Sequence, residues 1–179
     1  EKCGGQRGLA GVANALADAA RSKGRLDRAR DWYGRAKRVY DSIGAWEANI
    51  VRLNLALVMM FDDRFEDAHS EVLSCFENFR KSGQESWIAV SYVFALPGLA
   101  NLGEWKQFGD YFGEAVDRLK RLQFADADLA RVFEIAGELA SQSEENRRAD
   151  MCFEQAAEQW RVLDCPAEAN AAALRAGIN

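Results

Sequence analysis

One histidine, four cysteines and the carboxylate pairs Asp62/Asp63 and Glu144/Glu145 are the groups in this 179-residue chain whose types could do chemistry. His69 stands in "EDAHSEV" inside a helical pattern. General acid–base work needs a second group within hydrogen-bond reach; His69 reads instead as an exposed or hairpin-edge side chain. Cys3, Cys75, Cys152 and Cys165 show no C-x-x-C spacing. A zinc site needs a closer ligand set, so they read as reduced intracellular thiols. Asp62/Asp63 and Glu144/Glu145 fall in short connections ahead of helical segments, where the helix dipole favours negative charge. The opening "GGQRG" follows no strand and reads as a frayed end rather than a phosphate cradle. With no convergent acid, base and nucleophile, the sequence points away from an enzyme, a metal and a cofactor.

The elements that carry these groups are helical. The chain is 49% hydrophobic with two prolines, rich in Ala, Leu, Arg and Glu and poor in β-branched runs, which favours helix throughout. Net charge is −5. Residues 1–40 hold ten Lys/Arg against four Asp/Glu, a net of +6, so the remaining 139 residues carry −11. The basic side chains Arg25, Arg28, Arg35, Lys37 and Arg38 cover more than one side of a helix, with only Trp32 and Tyr33 as aromatic neighbours. That is not the basic, stacking face that nucleic acid requires. The run "LALVMMF" is too short to cross a bilayer, and "EKCGGQRGLAG" lacks the apolar core of a secretory leader. The expectation is a cytoplasmic protein without nucleic-acid or membrane partners. With no initiator Met, and "ALRAGIN" breaking off within a helical pattern, residues 1–179 read as a single repeat domain cut from a larger protein.

Self-similarity organises the chain. Four segments align: "GRLDRARDWYGRAKRVY" (24–40), "DRFEDAHSEVLSCFENF" (63–79), "GEWKQFGDYFGEAVDRL" (103–119) and "ENRRADMCFEQAAEQW" (145–160). Ala29, Ala68, Phe108 and Ala149 coincide, followed by Tyr33, Val72, Phe112 and Phe153, then Ala36, Cys75, Ala115 and Ala156, at offsets of 39, 40 and 41 residues. Small residues flanking a large one let two helices approach closely while the large one fills the space beside the contact. A first helix precedes each segment, at roughly 8–22, 46–61, 86–102 and 127–141, and residues 166–177 begin another with Pro166 near its start. The connections "SKGR", "FDDR", "NLGE" and "QSEE" close each hairpin, Gly24 and Gly103 suiting a left-handed cap.

Gly24, Leu26, Ala29, Tyr33 and Ala36, with Leu16 and Ala17 upstream, resemble the tetratricopeptide repeat, and Gly103, Trp105, Phe112 and Ala115 match that pattern again. The resemblance spans almost the whole chain. It implies an all-α fold: a right-handed superhelical solenoid of antiparallel helical hairpins, about four repeats plus a terminal helix. Departures are specific. The family's first-helix glycine is Ala17, Ala56 and Leu96 here and returns only as Gly137, the closing proline is absent, and the spacing exceeds the usual ~34 residues. The longer spacing is similar to repeats in large bacterial signalling and regulatory proteins.

The resemblance further implies that first helices line a concave face. Ile50, Leu53, Asn54 and Leu57 of the second repeat and Val90, Val93, Phe94 and Pro97 of the third would then form an apolar groove. Its charged rim would be Asn14, Asp18 and Arg21 at one end and Arg131, Glu134 and Glu138 at the other. Such a groove suits a peptide, a helix or a neighbouring domain, which makes the chain a non-catalytic protein-interaction or scaffold module. The alternative is a ligand- or peptide-sensing segment of a larger bacterial signalling regulator. Helices apolar on every side also arise by burial in the core or by homodimerisation through that face. Carboxylate-clamp binding is not expected, because Asn14 and Asn54 lack lysine neighbours and Arg52 points into the hairpin or along its edge. Within "SYVFALPGLANLGEW", equal hairpin lengths predict that Pro97 bends a continuous helix, freeing the carbonyl of Val93, rather than ending it.

Overall fold

A computed structural model describes residues 2–178, with the side chains of Lys2 and Cys3 outside the described set. Its described residues form nine helices and no strand. They are α1 (Lys2–Arg21), α2 (Leu26–Ser42), α3 (Ala48–Phe61), α4 (Phe65–Ser82), α5 (Glu85–Asn101), α6 (Trp105–Leu122), α7 (Ala127–Gln142), α8 (Asn146–Val162) and α9 (Pro166–Arg175). The chain divides into two compact units, residues 1–78 and 79–179, the division falling within α4.

In the first unit α1 pairs with α2, and α2 carries α3. The hairpin partner of α3 is α4: Arg52 forms an ion pair with Glu71 at 3.1 Å and donates to Ser74 at 3.3 Å, the edge being one of the two positions expected of it. In the second unit α5 pairs with α6, α7 with α8, α7 also lies against α5, and α9 covers α8. The all-α hairpin architecture read from the sequence is therefore present.

The three signature positions are buried in every hairpin, Phe108 standing in the third hairpin where the others have alanine. Ala29, Tyr33 and Ala36, Ala68, Val72 and Cys75, Phe108, Phe112 and Ala115, and Ala149, Phe153 and Ala156 are all buried. In α2 these residues recur at helical spacing on one face, opposite the exposed arginines, so a single amphipathic stripe suffices to bind the hairpin together.

Turn chemistry repeats with the same register. Gly24, Asp63, Gly103 and Glu144 close the four hairpins with positive φ, and in each the next N–H returns to the helix: Arg25 to the carbonyl of Ala20, Arg64 to Met59, Glu104 to Leu99 and Glu145 to Ala140, all at 2.9 Å. These are Schellman-type caps that satisfy otherwise orphaned carbonyls. A second left-handed set, Gly44, Gly83, Gln123 and Asp164, ends the second helices. From one set to the next is always 20 residues (24 to 44, 63 to 83, 103 to 123, 144 to 164), whereas the return leg takes 19, 20 and then 21 (44 to 63, 83 to 103, 123 to 144). The growing repeat spacing is thus confined to the half that contains the first helix.

Two expectations are refined. α1 begins at Lys2, so Gly4, Gly5 and Gly8 of "GGQRG" are helical rather than frayed. α5 runs unbroken from Glu85 to Asn101 through Pro97, which excludes a Pro-Gly turn.

Candidate functional site

The polar residues expected at the groove's first end are joined into one network within the first unit. Asn54 Nδ2 donates to Asn14 Oδ1 at 3.2 Å, and Asn14 Nδ2 donates to Asp18 Oδ2 at 3.1 Å. The Tyr33 hydroxyl donates to Asp18 Oδ1 and accepts from Arg21 Nε at 3.0 Å. Three helices contribute: α1 supplies Asn14, Asp18 and Arg21 on successive turns of one face, α3 supplies Asn54, and α2 supplies Tyr33. Burial, then the hydrogen bond to Asp18, pushes the Tyr33 hydroxyl well above its ordinary value and keeps it a donor. Tyr33 had been legible only as a packing residue; its hydroxyl also organises the polar group, which its pairing with an Asp one turn before Arg21 signals only in hindsight.

Ile50 and Asn54 are half-buried, while Leu53 and Leu57 are buried. In the second unit Val90, Val93, Phe94 and Pro97 are likewise buried. Six of the eight residues assigned to the groove are therefore enclosed, the packing outcome that the all-round apolar helices α3 and α5 also allowed. Of the eight groove positions, only Asn54 and Ile50 stay partly accessible.

The rim residues of the fourth repeat form their own contacts in the second unit. Glu134 pairs with Arg131 at 2.9 Å and accepts from Trp160 Nε1 at 2.9 Å, while Arg131 lies over the Trp160 ring. Glu138 pairs with Arg175 at 2.7 Å, and Arg175 lies over Phe153. The same unit contains an open hollow of about 500 Å³ lined by Val116, Leu119, Phe124, Gln155, Gln159 and Val162. Gln159 is buried and accepts the Asp126 N–H at 3.1 Å, fastening the start of α7 to α8.

The chemistry-bearing residues take structural positions. Cys75 and Cys152 are buried, and burial pushes the Cys75 thiol up to about 12 and raises Cys152 further, the reverse of what a nucleophilic thiolate requires. His69 is half-buried on α4. Asp63 and Glu144 are turn residues, Asp62 pairs with Arg30 across the first unit, and Glu145 pairs with Arg148. Among the described residues no group of three or more His, Cys, Asp or Glu is placed to hold a metal, and no helix is long and apolar enough to cross a membrane.

No protein-family model matches this chain, and no curated protein matches it. Solved structures do. BtubC (BKLC) from P. vanneervenii superposes with a TM-score of 0.62 at 21% identity over 87% of this chain and 65% of that one. A Signal Transduction ATPase with Numerous Domains (STAND) protein with a tetratricopeptide repeat sensor, PH0952 from Pyrococcus horikoshii, superposes with a TM-score of 0.64 at 16% identity over 96% of this chain and 27% of that one. This chain spans just under two thirds of the first and about a quarter of the second. At these identities the likeness is one of fold: a helical-hairpin repeat protein.

Proposed function

We propose that the chain is a tetratricopeptide-type, non-catalytic interaction module that grips a peptide or helix on the polar faces of its first helices. In the first unit the contact surface is Asn14, Asp18 and Arg21 with Ile50 and Asn54; in the second it is Arg131, Glu134 and Glu138. Buried Leu53, Leu57, Val90, Val93, Phe94 and Pro97 serve as rigid backing. The observation that carries this reading is the hydrogen-bonded chain Asn54–Asn14–Asp18–Tyr33–Arg21. Its two amides each offer a donor and an acceptor, the pair of functions that a peptide backbone presents in return. Because Tyr33 and its neighbours already fix the side chains, little ordering entropy remains to oppose binding.

The test is selection of binders from a random peptide display library, followed by amide exchange on the complex. Protection should fall on α1 and α3, and Asn54→Ala should weaken binding about tenfold, the loss of one well-placed pair of polar contacts. Binders that protect neither helix, or that ignore Asn54→Ala, would sink the proposal.

A second reading, a sensing segment of a larger signalling regulator, draws support from the likeness to the sensor-bearing STAND protein. Full-length chain context decides it: an adjoining nucleotide-hydrolysing domain whose turnover responds to a ligand of this segment is the expected result.

A further inference from the structure

The outward face of α1 carries an apolar stripe that the repeat register assigns to a contact. Leu9, Val12 and Leu16 are 69%, 59% and 43% exposed. Measured back from the left-handed turn residues Gly24, Asp63, Gly103 and Glu144, they occupy the positions of Ala48, Val51 and Leu55 in α3, of Ile88, Ser91 and Ala95 in α5, and of Leu129, Val132 and Ala136 in α7. Every one of those nine counterparts is buried except Leu55, which is half-buried. In the first unit the reason is visible: Ala48, Val51 and Leu55 join one apolar cluster with Ala36, Tyr40 and Ile43, so this face of α3 seats on α2, the second helix of the preceding hairpin.

α1 already spends its other apolar face, Ala10, Ala13 and Ala17, on α2. An isolated hairpin helix needs one such face, and α1 has two. The described charged side chains of the helix lie off the stripe: Arg7 pairs with Glu47 at 2.9 Å, and Asp18 and Arg21 are held by Tyr33. The residues beside the stripe, Gly5, Gly8, Ala15 and Ala19, are small and exposed, which leaves room for close helix approach. Isolated surface leucines need no explanation, but a contiguous stripe at helix period does.

We propose that this face is the seat for one further helix of the same repeat type, packing on α1 as α2 packs on α3. The fitting partner is the second helix of a hairpin that extends the array on its amino-terminal side, presenting a stripe like Ala36, Tyr40 and Ile43. A second copy of this chain is less well suited, since its α2 already carries α3 and its α8 already carries α9.

The test uses the intact chain with residues 1–8 replaced by a second copy of residues 8–47, so that Glu47 takes the register position of Gly8 and runs directly into Leu9. Amide exchange in residues 9–21 should slow by at least roughly tenfold and the melting temperature should rise by roughly 5 °C or more. Val12→Glu in that original α1 should remove both gains while shifting the unextended chain by no more than about 2 °C. An added hairpin that stays unfolded, an unchanged exchange rate, or a gain that survives Val12→Glu overturns the proposal. So does an unextended chain that sediments as a dimer dissociated by Val12→Glu, because the face then belongs to a second copy.

Discussion

Gly137 lies so close to Phe153 that a Cβ built on it would sit 2.7 Å from the ring's Cε1 and 2.9 Å from Cζ. The glycine is in α7 and the phenylalanine is the large member of the signature in α8. The other three repeats hold Ala17, Ala56 and Leu96 at this position, against Tyr33, Val72 and Phe112. The fourth hairpin therefore uses glycine here because its ring is pressed onto the first helix, with Arg175 stacked over it.

Gly137→Ala sets two effects against each other. Alanine gains about 1 kcal/mol of helix propensity, but the buried ring cannot retreat without displacing Arg175 or the α8 packing, and overpacking of this kind costs about 1–3 kcal/mol. The expected net result is destabilisation by about 1 kcal/mol, read from urea denaturation. The paired change Gly137→Ala with Phe153→Leu should lose less than the sum of the two single losses.

Four left-handed turn positions are filled by residues other than glycine: Asp63, Gln123, Glu144 and Asp164. A side chain in that region costs about 1–2 kcal/mol, and the equivalent positions Gly24, Gly44, Gly83 and Gly103 avoid it. Asp63→Gly and Glu144→Gly should each raise stability by about 0.5–1 kcal/mol, the greater unfolded-state freedom of glycine offsetting part of the gain. Thermal denaturation of the single and double variants checks this, and additivity is expected because each residue closes a different hairpin in a different compact unit.

The hairpins and their core were legible because one-face periodicity and the small-large-small spacing are local properties of each helix. The groove was not, and the reason lies in α3 and α5. Their sequences are apolar on all sides, and hydropathy alone cannot distinguish a face covered by the protein itself from one reserved for a partner. Leu57 and Phe94 are equally apolar whether enclosed or open; the structure encloses both. Tyr33 illustrates the converse: its ring position followed from the repeat, whereas its bonds to Asp18 and Arg21 depend on side-chain geometry between two helices.

Burial of Leu57 and Phe94, at 0% and 3% exposure, makes them cores of stability before anything else. Leu57→Ala should cost about 2–4 kcal/mol. Phe94→Glu would bury an unpaired carboxylate and should abolish cooperative unfolding by circular dichroism. A Phe94→Glu protein with native melting would instead mean that α5 offers Phe94 to solvent and to partners.

Alkaline stability should depend on Cys75. Its thiol is raised by burial from an ordinary 9.0 to about 12, the nearby Arg52 pulling weakly in the opposite direction. A group whose folded value is raised contributes stability that is complete below the unfolded value and is lost as pH climbs towards the folded one. The unfolding free energy of the wild-type chain, read from urea denaturation, should therefore fall between pH 9 and 12, by an amount on the order of a few kcal/mol at the upper end. Tyr33, raised for the same principal reason, adds to the loss above pH 10. Cys75→Ala removes the thiol's share: it should lower stability slightly at neutral pH, where a small buried side chain is trimmed, yet show a shallower decline from pH 9 to 10, before tyrosine ionisation contributes. Parallel declines in the two proteins across that interval would mean that the Cys75 thiolate forms in the folded state without penalty, and that the α4 core admits water.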